Sequence, residues 1–461
     1  MNLLGTRYQD SVSTLDESLR SEGRAKEWAT ADWLFILSFI LIAVVYLLQT
    51  AGPLRLINDG IDYLLQASSA LDGHGFKVHG AHSMRPPGYP ALIYCLAKVG
   101  LGNTWAIVAL NCVALGVGCF ASYAILRSSF KFSRITSQLL VLLTLLSFVV
   151  VRNITFPLSD VCFFGVSALC LLGILRSENA SARVRLVRLV LLAPLLVFCI
   201  ELRTIGIVLV PGYLWAAVGG KTGAGKGFAY CRRHRLITIL VLAVAVAVGI
   251  DVFVHSRYLR FNLPTFEHRG MARSIFANIR DHSAEWGEMF INVPMSRLPG
   301  FMELPVRILG VFAILMAGLG IWIRRKSSDS LMLYVLGTAA IVFVYPWFDT
   351  RLWLPVVPFL MAYVLLGVEH VVPKRIFRPA AFAYCSLFCV IGAIALAYST
   401  RLTFAGPRFP ELFGDGRLRP TYRYAQGGAT ATDLKDVNED ALYLLRRYDS
   451  RRYRQTGPRE K

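Results

Sequence analysis

Long apolar runs separated by short polar gaps dominate this chain. About 20 apolar residues cross the hydrocarbon core of a bilayer as a helix, and eleven runs reach or approach that length. They occupy about residues 33–49, 104–126, 136–151, 160–175, 187–200, 204–218, 236–254, 306–323, 330–347, 352–369 and 379–398. The pattern predicts an all-α polytopic membrane protein with about 11 transmembrane helices.

A further apolar stretch at residues 88–99 is only a dozen residues long. We interpret it as an interfacial helix in the first outer loop; the alternative is a twelfth span. Loop charge favours the interfacial helix, because cytoplasmic loops are enriched in Lys and Arg and a twelfth span would invert every later loop. With the N-terminus in the cytoplasm, the cytoplasmic gaps hold Arg127, Lys131, Arg134, Arg176, Arg183, Arg185, Arg188, Lys221, Lys226, Arg232, Arg233, Arg235, Arg324, Arg325, Lys326, Lys374, Arg375 and Arg378.

This arrangement divides the chain into three parts. Residues 1–32 form a cytoplasmic segment, residues 33–399 the transmembrane domain, and residues 400–461 a polar C-terminal tail on the outer side. The large outer loops are residues 50–103 and 255–305. The arginine-rich tail conflicts with an outside location, but long segments translocate despite their charge. We expect the tail to be partly disordered or to lie on the surface.

Composition supports the same class. Of the 461 residues, 55% are hydrophobic and 17% charged, whereas soluble domains have about 25% charged residues. The net charge of +20 falls mainly in the gaps and the tail, which indicates contact with anionic lipid rather than nucleic acid. The nine cysteines show no metal or redox spacing, so we expect no disulfide framework.

A polar island follows the first span and begins Asn58-Asp59-Gly60-Ile61-Asp62-Tyr63. Carboxylates near hydrocarbon are unfavourable unless they are used. In a helix, Asp59 and Tyr63 share a face because they are four residues apart. Asp59 at the membrane surface is suited to act as a general base toward a hydroxyl. The alternative is that Asn58 or Asp59 caps the helix that follows.

The same loop contains Arg85-Pro86-Pro87-Gly88-Tyr89-Pro90. Arg85 is suited to contact phosphate. Tyr89 either belongs to this site or anchors the loop in the aromatic belt at the membrane interface.

Polar residues at three later turns are predicted on the same side. Asp160 either caps the span that follows it or points toward Asp59. Arg203 pairs with Glu201, a lipid headgroup or a substrate phosphate. Arg351 either holds a phosphodiester through paired N–H donors or pairs with Asp349.

Two other patterns lack the residues that would complete them. The glycine-rich stretch at residues 220–227 resembles a phosphate-binding loop but lacks the closing Ser or Thr and a preceding strand. His79 and His82, with His74 nearby, have no Cys or paired acid to complete a metal site. The sequence therefore predicts neither a nucleotide site nor a metal site.

In this order, the polar segments resemble the GT-C superfamily of polytopic glycosyltransferases, which use polyprenyl-phosphate sugars and include protein O-mannosyltransferases and the aminoarabinose transferases of lipid A. Relatives show Asp-x-x-Glu-Tyr, Leu-x-x-Gly-x-Gly-Phe and Arg-Pro-Pro-Gly-Tyr-Pro in the first loop, then an acidic outer turn, an Arg-Pro-x-Gly-like stretch and an Arg-Tyr-Leu-Leu-Pro-like stretch. The matching segments here are Asp59 to Tyr63, Leu71 to Phe76, Arg85 to Pro90, Asp160, Arg203 to Gly206 and Arg351 to Pro355. Departures from the common pattern occur at Asp62, Thr204 and Trp353.

The resemblance implies an inverting glycosyltransferase that moves a sugar from a polyprenyl-phosphate donor to an acceptor hydroxyl. Asp59 would be the catalytic base. The residues implied to bind the substrates are Asp62, Tyr63, Arg85, Tyr89, Asp160, Arg203 and Arg351.

The implied partners are the polyprenyl-phosphate-linked sugar, an acceptor glycan, lipid or protein, and the lipid bilayer, with no nucleic acid. No cofactor is implied; a divalent metal is compatible with this chemistry but not required. The expected location is the bacterial inner membrane with the site on the periplasmic side. The alternative function is a lipid-linked sugar flippase or another transporter of envelope glycan assembly, which would need polar groups along the bundle interior.

Overall fold

A computed structural model describes residues 33–219, 271–325, 329–413, 416–431 and 433–453. Several predictions lie outside the described residues. They concern the cytoplasmic segment 1–32, the glycine-rich stretch 220–227, the apolar run 236–254 and residues 255–270 of the second large loop.

The described chain is a bundle of helices with one short hairpin. In chain order the helices are α1 (Trp33–Ala51), α2 (Asn58–Leu71), α3 (Gly88–Lys98), α4 (Thr104–Ser128), α5 (Arg134–Leu145), α6 (Phe148–Asn153), α7 (Ser159–Glu178), α8 (Ala182–Leu202), α9 (Leu209–Ala217), α10 (Met271–Ile291), α11 (Glu303–Arg324), α12 (Ser330–Val344), α13 (Val357–Val371), α14 (Lys374–Thr403), α15 (Phe409–Leu412), α16 (Arg419–Ala425), α17 (Glu439–Tyr448) and α18 (Ser450–Tyr453).

Short elements connect these helices near the first and last polar motifs. Strands β1 (Lys77–Val78) and β2 (Ala81–His82) pair antiparallel between α2 and α3. The 3-10 turns Thr204–Val208 and Thr350–Val356 lead into α9 and α13. These turns carry two of the predicted site segments.

Six of the described helices are long and apolar enough to cross a membrane, namely α1, α4, α7, α11, α13 and α14 with their adjoining 3-10 turns. Helices α5, α9 and α12 are apolar but shorter. The protein is therefore an all-α integral membrane protein, whereas the count of about eleven spans is not confirmed. Helix α3 has 11 residues, far fewer than the roughly 20 of a span, and this length agrees with an interfacial helix.

Helix α7 lies at the centre of the bundle. Within its most apolar window 78% of the residues are buried, compared with 17% in α1 and in α14. Gly165 on α7 lets that helix approach α4 closely, because a Cβ there would meet the backbone of Ala114. Small residues allow membrane helices to pack in this way. The apolar outer faces of α1 and α14 are suited to contact lipid.

The predicted span at residues 136–151 is wrong in one respect, because it is two helices, α5 and α6. The break lies at Leu146 and Ser147, where Asn292 inserts its side chain. The Asn292 carbonyl oxygen accepts the Phe148 N–H at 2.6 Å, and its amide donates to the carbonyl oxygens of Leu146 at 3.0 Å and Phe388 at 3.1 Å. A distant amide therefore satisfies the backbone groups that the break leaves open.

Glycines bring the polar loops together at one end of the bundle. A Cβ on Gly88 would lie 2.5 Å from the carbonyl carbon and oxygen of Glu201, and one on Gly60 would lie 2.9 Å from Cγ of Pro157. The start of α3 thus packs on the end of α8, and the start of α2 packs on the turn before α7. These two contacts join the segments that contain Asp59, Arg85 and Arg203.

We expect Gly88→Ala to destabilise the protein by about 1–3 kcal/mol, because an added methyl group in a close contact forces the backbones apart. Thermal unfolding of the purified protein in detergent measures the change. Gly116→Ala is the matched control, since nothing lies within 4 Å of its Cβ position and alanine is the better helix former. Equal melting temperatures for the two variants would contradict the close packing of α3 on α8.

The C-terminal tail packs against the segment that joins α1 to α2. The Tyr422 hydroxyl accepts the Leu56 N–H at 2.8 Å and donates to the Leu54 carbonyl at 2.7 Å. Asp449 accepts the Leu54 N–H at 3.0 Å, and Arg452 donates to the Gly52 carbonyl at 2.7 Å. The tail is folded in its described residues, so partial disorder does not apply to them.

Candidate active site

Asp59, the second residue of α2, is at the centre of a cluster of charges. Its carboxylate pairs with Arg85 through Oδ1 and with Arg351 through Oδ2. The side chain is 27% exposed, so it is within reach of solvent. Among the described residues no side chain caps the start of α2, where Ile57 occupies the cap position. The capping interpretation of Asn58 and Asp59 is therefore wrong.

Arg85 bridges the two acidic residues of the first motif. Its guanidinium pairs with Asp59 and with Asp62, which are three residues apart on α2 and so share a face. The guanidinium carbon also lies 6.0 Å from the centre of the Tyr63 ring, within the range of a cation–π contact. The structure thus joins Arg85 to all three predicted residues of the Asp59 to Tyr63 motif.

Arg351 approaches Asp59 from the other half of the chain. It lies in the 3-10 turn Thr350–Val356, and Asp349 caps that turn by accepting the Arg351 N–H at 3.2 Å. The Arg351 Nε also lies 2.5 Å from Oδ2 of Asp349. Arg351 therefore pairs with Asp349, as one sequence alternative proposed, and at the same time reaches Asp59.

Asp160 and Arg203 form a second ion pair at the same end of the bundle. Asp160 is 2% exposed and Arg203 is 17% exposed. Asp160 lies in the first turn of α7, where Leu158 is at the cap position. Arg203 lies directly after α8. Its partner Asp160 was not among the partners considered in the sequence analysis. Its charge acts on Asp59 and Tyr63, which places this pair beside the central cluster.

Tyr63 and Tyr89 extend from the cluster into the core. The Tyr63 hydroxyl is hydrogen bonded to Ser159 at 2.9 Å, and the two tyrosine rings meet edge to face at 5.5 Å. The Tyr89 hydroxyl donates to Asn111 at 3.3 Å, and Tyr89 is fully buried. Tyr89 is therefore not an interfacial anchor. Its substrate role stays a prediction, and in this geometry Tyr89 would act through Tyr63.

Opposing effects set the charge state of Asp59. Burial raises the pKa of the Asp59 carboxyl. The positive charges of Arg351, Arg85 and Arg203 together lower this pKa by a larger amount, so it lies below its ordinary value. Asp59 is therefore an ionised carboxylate at neutral pH. A carboxylate paired in this way accepts a proton poorly until its partners are engaged elsewhere.

Arg55 ties the segment before α2 to α14. Its side chain is 3% exposed and donates to the Ser399 carbonyl at 2.7 Å and to the hydroxyls of Thr403 at 3.0 Å and Thr155 at 3.2 Å. Burial lowers the pKa of Arg55 to about 10. Its role in holding the start of α2 has no signal in the sequence, because its acceptors are neutral and far along the chain.

Helix α10 supplies acidic groups that the sequence analysis missed. Glu285 is fully buried and Glu288 is 5% exposed. Both lie behind the turn that carries Arg351. Glu285 accepts the backbone N–H of Asp349, and Glu288 is close enough to Asp349 for their charges to interact. The signal was the spacing His282, Glu285 and Glu288, which is three residues throughout and places the groups along one helix face.

Glu288 makes the stability of this region depend on pH. Burial raises its pKa from the usual 4.5 to about 7, helped by the charges of Glu285 and Asp349 and opposed by the Met295 N–H and Arg152. A raised folded-state pKa stabilises the fold below pH 4.5, and this stabilisation is lost as pH rises through about 7. The unfolded state then loses its proton earlier than the folded state.

We therefore expect the wild-type protein to lose about 2 kcal/mol of unfolding free energy between pH 5 and pH 8 through this group, and Glu288→Gln to remove that loss. Thermal unfolding in detergent across this pH range measures it. The comparison at pH 5 is the internal control, because protonated Glu and Gln are nearly equivalent there. Parallel pH curves for the two proteins would rule out a raised pKa at Glu288.

No group of three or more His, Cys, Asp or Glu suited to hold a metal ion occurs within residues 33–219, 271–325, 329–413, 416–431 and 433–453. Of the histidines singled out in the sequence, His79 lies 3.1 Å from Asp440 of α17. This contact joins the β1–β2 hairpin to the tail. The sequence expectation that no metal is required stays a prediction.

Comparisons with known proteins add distant likenesses. No protein-family model and no curated protein matches the chain. Among solved structures, it is similar to ArnT from Cupriavidus metallidurans bound to undecaprenyl phosphate, with 16% identity, a TM-score of 0.48, and coverage of 90% of this chain and 71% of that one. ArnT in the apo state matches at 17% identity and a TM-score of 0.47, covering 91% and 73%.

An oligosaccharyltransferase from Archaeoglobus fulgidus, in complex with Zn and sulfate, matches at 12% identity and a TM-score of 0.48, covering 89% of this chain and 57% of that one. These likenesses are too distant to carry an activity or a residue's role over to this chain.

Proposed function

We propose that this protein is an inverting glycosyltransferase that moves a sugar from a polyprenyl-phosphate donor to an acceptor hydroxyl at the outer face of a bacterial inner membrane. The observation that carries the proposal is the partly exposed Asp59 carboxylate, held between Arg85 and Arg351 at one end of a helical membrane bundle. A carboxylate and two guanidinium groups are thereby brought together from distant parts of the chain. The motif order in the sequence supports the same reaction class.

In this reaction Asp59 takes the proton of the acceptor hydroxyl, whose oxygen attacks the anomeric carbon of the donor sugar. The bond between that carbon and the phosphate oxygen breaks as the new glycosidic bond forms. The polyprenyl phosphate leaves with the electron pair. Arg351 is the main group that stabilises its negative charge, and Arg203 is the second. Holding base and leaving group in one site supplies much of the rate enhancement through positioning.

The paired state of Asp59 has a consequence for the order of events. Arg351 and Arg85 hold the pKa of Asp59 below its ordinary value, which makes it a weak base without substrate. A donor phosphate competes for the same N–H donors. Once these arginines turn to phosphate, the carboxylate loses its compensating charges and its pKa rises. Donor binding would thus activate the base.

The remaining acidic residues take up complementary roles. Asp62 keeps a contact with Arg85 and so limits how far that side chain moves toward the donor. Asp349 does the same for Arg351. In this proposal Asp160 aligns Arg203, and Tyr63 orients the sugar or the acceptor. The mechanism requires no nucleotide and no metal.

Sugar transfer can be tested directly in membranes that contain the protein. A panel of undecaprenyl-phosphate sugars, each radiolabelled in the sugar, is incubated with membranes from a strain that lacks the chain and from the same strain carrying it. Label that moves to a glycan, lipid or protein acceptor only with the chain present supports the proposal. Label that crosses the bilayer without a new covalent bond would identify the flippase alternative instead.

A further inference from the structure

A buried carboxylate lies behind the turn that presents Arg351. Glu285 of α10 is fully buried, and its two oxygens accept hydrogen bonds from that turn. Oε2 accepts the Trp353 indole N–H at 2.7 Å, and Oε1 accepts the backbone N–H of Asp349. Glu285 thus accepts hydrogen bonds from the turn on both sides of Arg351.

His282, one turn earlier on α10, contacts Glu285 and the carbonyl oxygen of Tyr345. Its Nδ1 lies 2.6 Å from Oε2 of Glu285, and its Nε2 lies 3.0 Å from the carbonyl oxygen of Tyr345. A carbonyl oxygen only accepts, so the Nε2 of His282 carries the proton of the bond to Tyr345. Burial lowers the pKa of His282, but its bonds to Glu285 raise it above the ordinary value. The buried Glu285 side chain is therefore held in place by the His282 ring.

These contacts lead to Asp59 by a short route. Glu285 fixes Asp349 and Trp353; Asp349 accepts the Arg351 N–H and pairs with its Nε; and Arg351 pairs with Asp59. Trp353 is fully buried against Trp286 and Phe343, with ring centres 5.3 Å and 5.2 Å away. The Arg351 guanidinium thus extends toward Asp59 from a turn that is held by Glu285 and by packing around Trp353.

We propose that Glu285, supported by His282, is a positioning residue that holds the Arg351 turn so that the guanidinium faces Asp59 and the donor phosphate. The inference rests on the proposed function for its catalytic meaning, while the positioning itself is a property of the fold. It also gives a role to Trp353, one of the departures noted in the sequence, because its indole supplies an N–H that Glu285 accepts.

The positioning can be measured without any turnover. Phenylglyoxal modifies accessible, unpaired arginines, and mass spectrometry of peptides gives the rate at Arg351 in the purified full-length protein. The exposed Arg297 serves as an internal standard. We expect Glu285→Gln to raise the rate at Arg351 about tenfold, equivalent to about 1.4 kcal/mol, because an amide has only one acceptor oxygen and cannot accept at both ends from Asp349 and Trp353.

Three further variants make the test robust. Trp353→Phe removes only the indole N–H and keeps an aromatic ring, so it should raise the rate about threefold, equivalent to about 0.7 kcal/mol. If Glu285→Gln fails to fold, Trp353→Phe carries the test alone. The double variant should be no faster than Glu285→Gln, since both changes remove the same bond. Glu303→Gln, on a carboxylate paired with Arg307, is the matched control and should leave the rate unchanged.

A wild-type rate at Arg351 in folded Glu285→Gln and Trp353→Phe proteins would overturn the proposal. The same variants are then assayed with the undecaprenyl-phosphate sugar used by the wild-type chain, where we expect Glu285→Gln to lower kcat about tenfold and to leave the acceptor KM unchanged. If the wild-type chain transfers no sugar, the proposed function fails, while the Arg351 rates still decide whether Glu285 positions the turn.

Discussion

Replacing Asp59 by Asn should reduce sugar transfer about a thousandfold, because the reaction loses its general base while the side chain keeps its size. The variant should insert into membranes and elute from size-exclusion chromatography as the wild type does, since Arg85 and Arg351 retain Asp62 and Asp349 as partners. Initial rates with a radiolabelled polyprenyl-phosphate sugar measure the effect.

Asp72→Asn is the matched control for this experiment. Asp72 follows the same helix and pairs with Arg447 at 2.9 Å, outside the cluster. Its substitution removes an exposed Asp–Arg pair, which typically contributes less than about 1 kcal/mol, and should leave the rate nearly unchanged. Wild-type turnover by Asp59→Asn would eliminate Asp59 as the base.

Arg351→Gln should lower kcat/KM for the donor about a hundredfold or more, because the departing phosphate loses a preorganised cation. The effect on the acceptor KM should be small. The measurement is a pair of saturation curves, one with the donor varied and one with the acceptor varied. Arg447→Gln, from the Asp72 pair, is the control arginine. Equal losses for donor and acceptor would contradict a phosphate role for Arg351.

The pH profile gives Arg351→Gln a second, independent outcome. Arg351 lowers the pKa of Asp59, and a base works only at a pH above its pKa. Removing the arginine should therefore raise that pKa and shift the acidic limb of the kcat/KM profile to higher pH. An unchanged limb would show that the two groups are not electrostatically coupled in the working enzyme.

Apolar run length predicted most of the helices because a membrane helix needs little beyond a continuous hydrophobic stretch. It could not predict the break at Leu146 and Ser147. That break depends on the Asn292 amide, which is bonded to Phe148 from 144 residues away. It could also not tell which apolar helices cross the membrane and which only pack within the bundle, since α9 and α12 are as apolar as the longer helices.

The candidate site was partly predictable for a different reason. Charged residues in an otherwise apolar chain stand out, and sidedness of the gaps placed Asp59, Arg85, Arg203 and Arg351 at one end. The structure brings these residues together, while their roles in transfer stay predictions. Their partners were harder to predict, because pairing Asp160 with Arg203 depends on how α7 packs against α8.

The supporting residues were least visible in the sequence. Glu285 lies in a segment of mixed polarity, and nothing local to it indicates contact with Trp353, 68 residues later. The partners of Arg55 are hydroxyl and carbonyl groups on α14 and the hydroxyl of Thr155, which carry no charge pattern. Such contacts depend on tertiary packing, which periodicity and composition do not encode.

The contact between Asp449 and Leu54 joins residues 395 positions apart. During synthesis the segment leading into α2 is therefore complete long before its partner Asp449, which is added nearly four hundred codons later. A chain that ended at α17 would lack Asp449 and Arg452, which hold the segment just before α2 through Leu54 and Gly52.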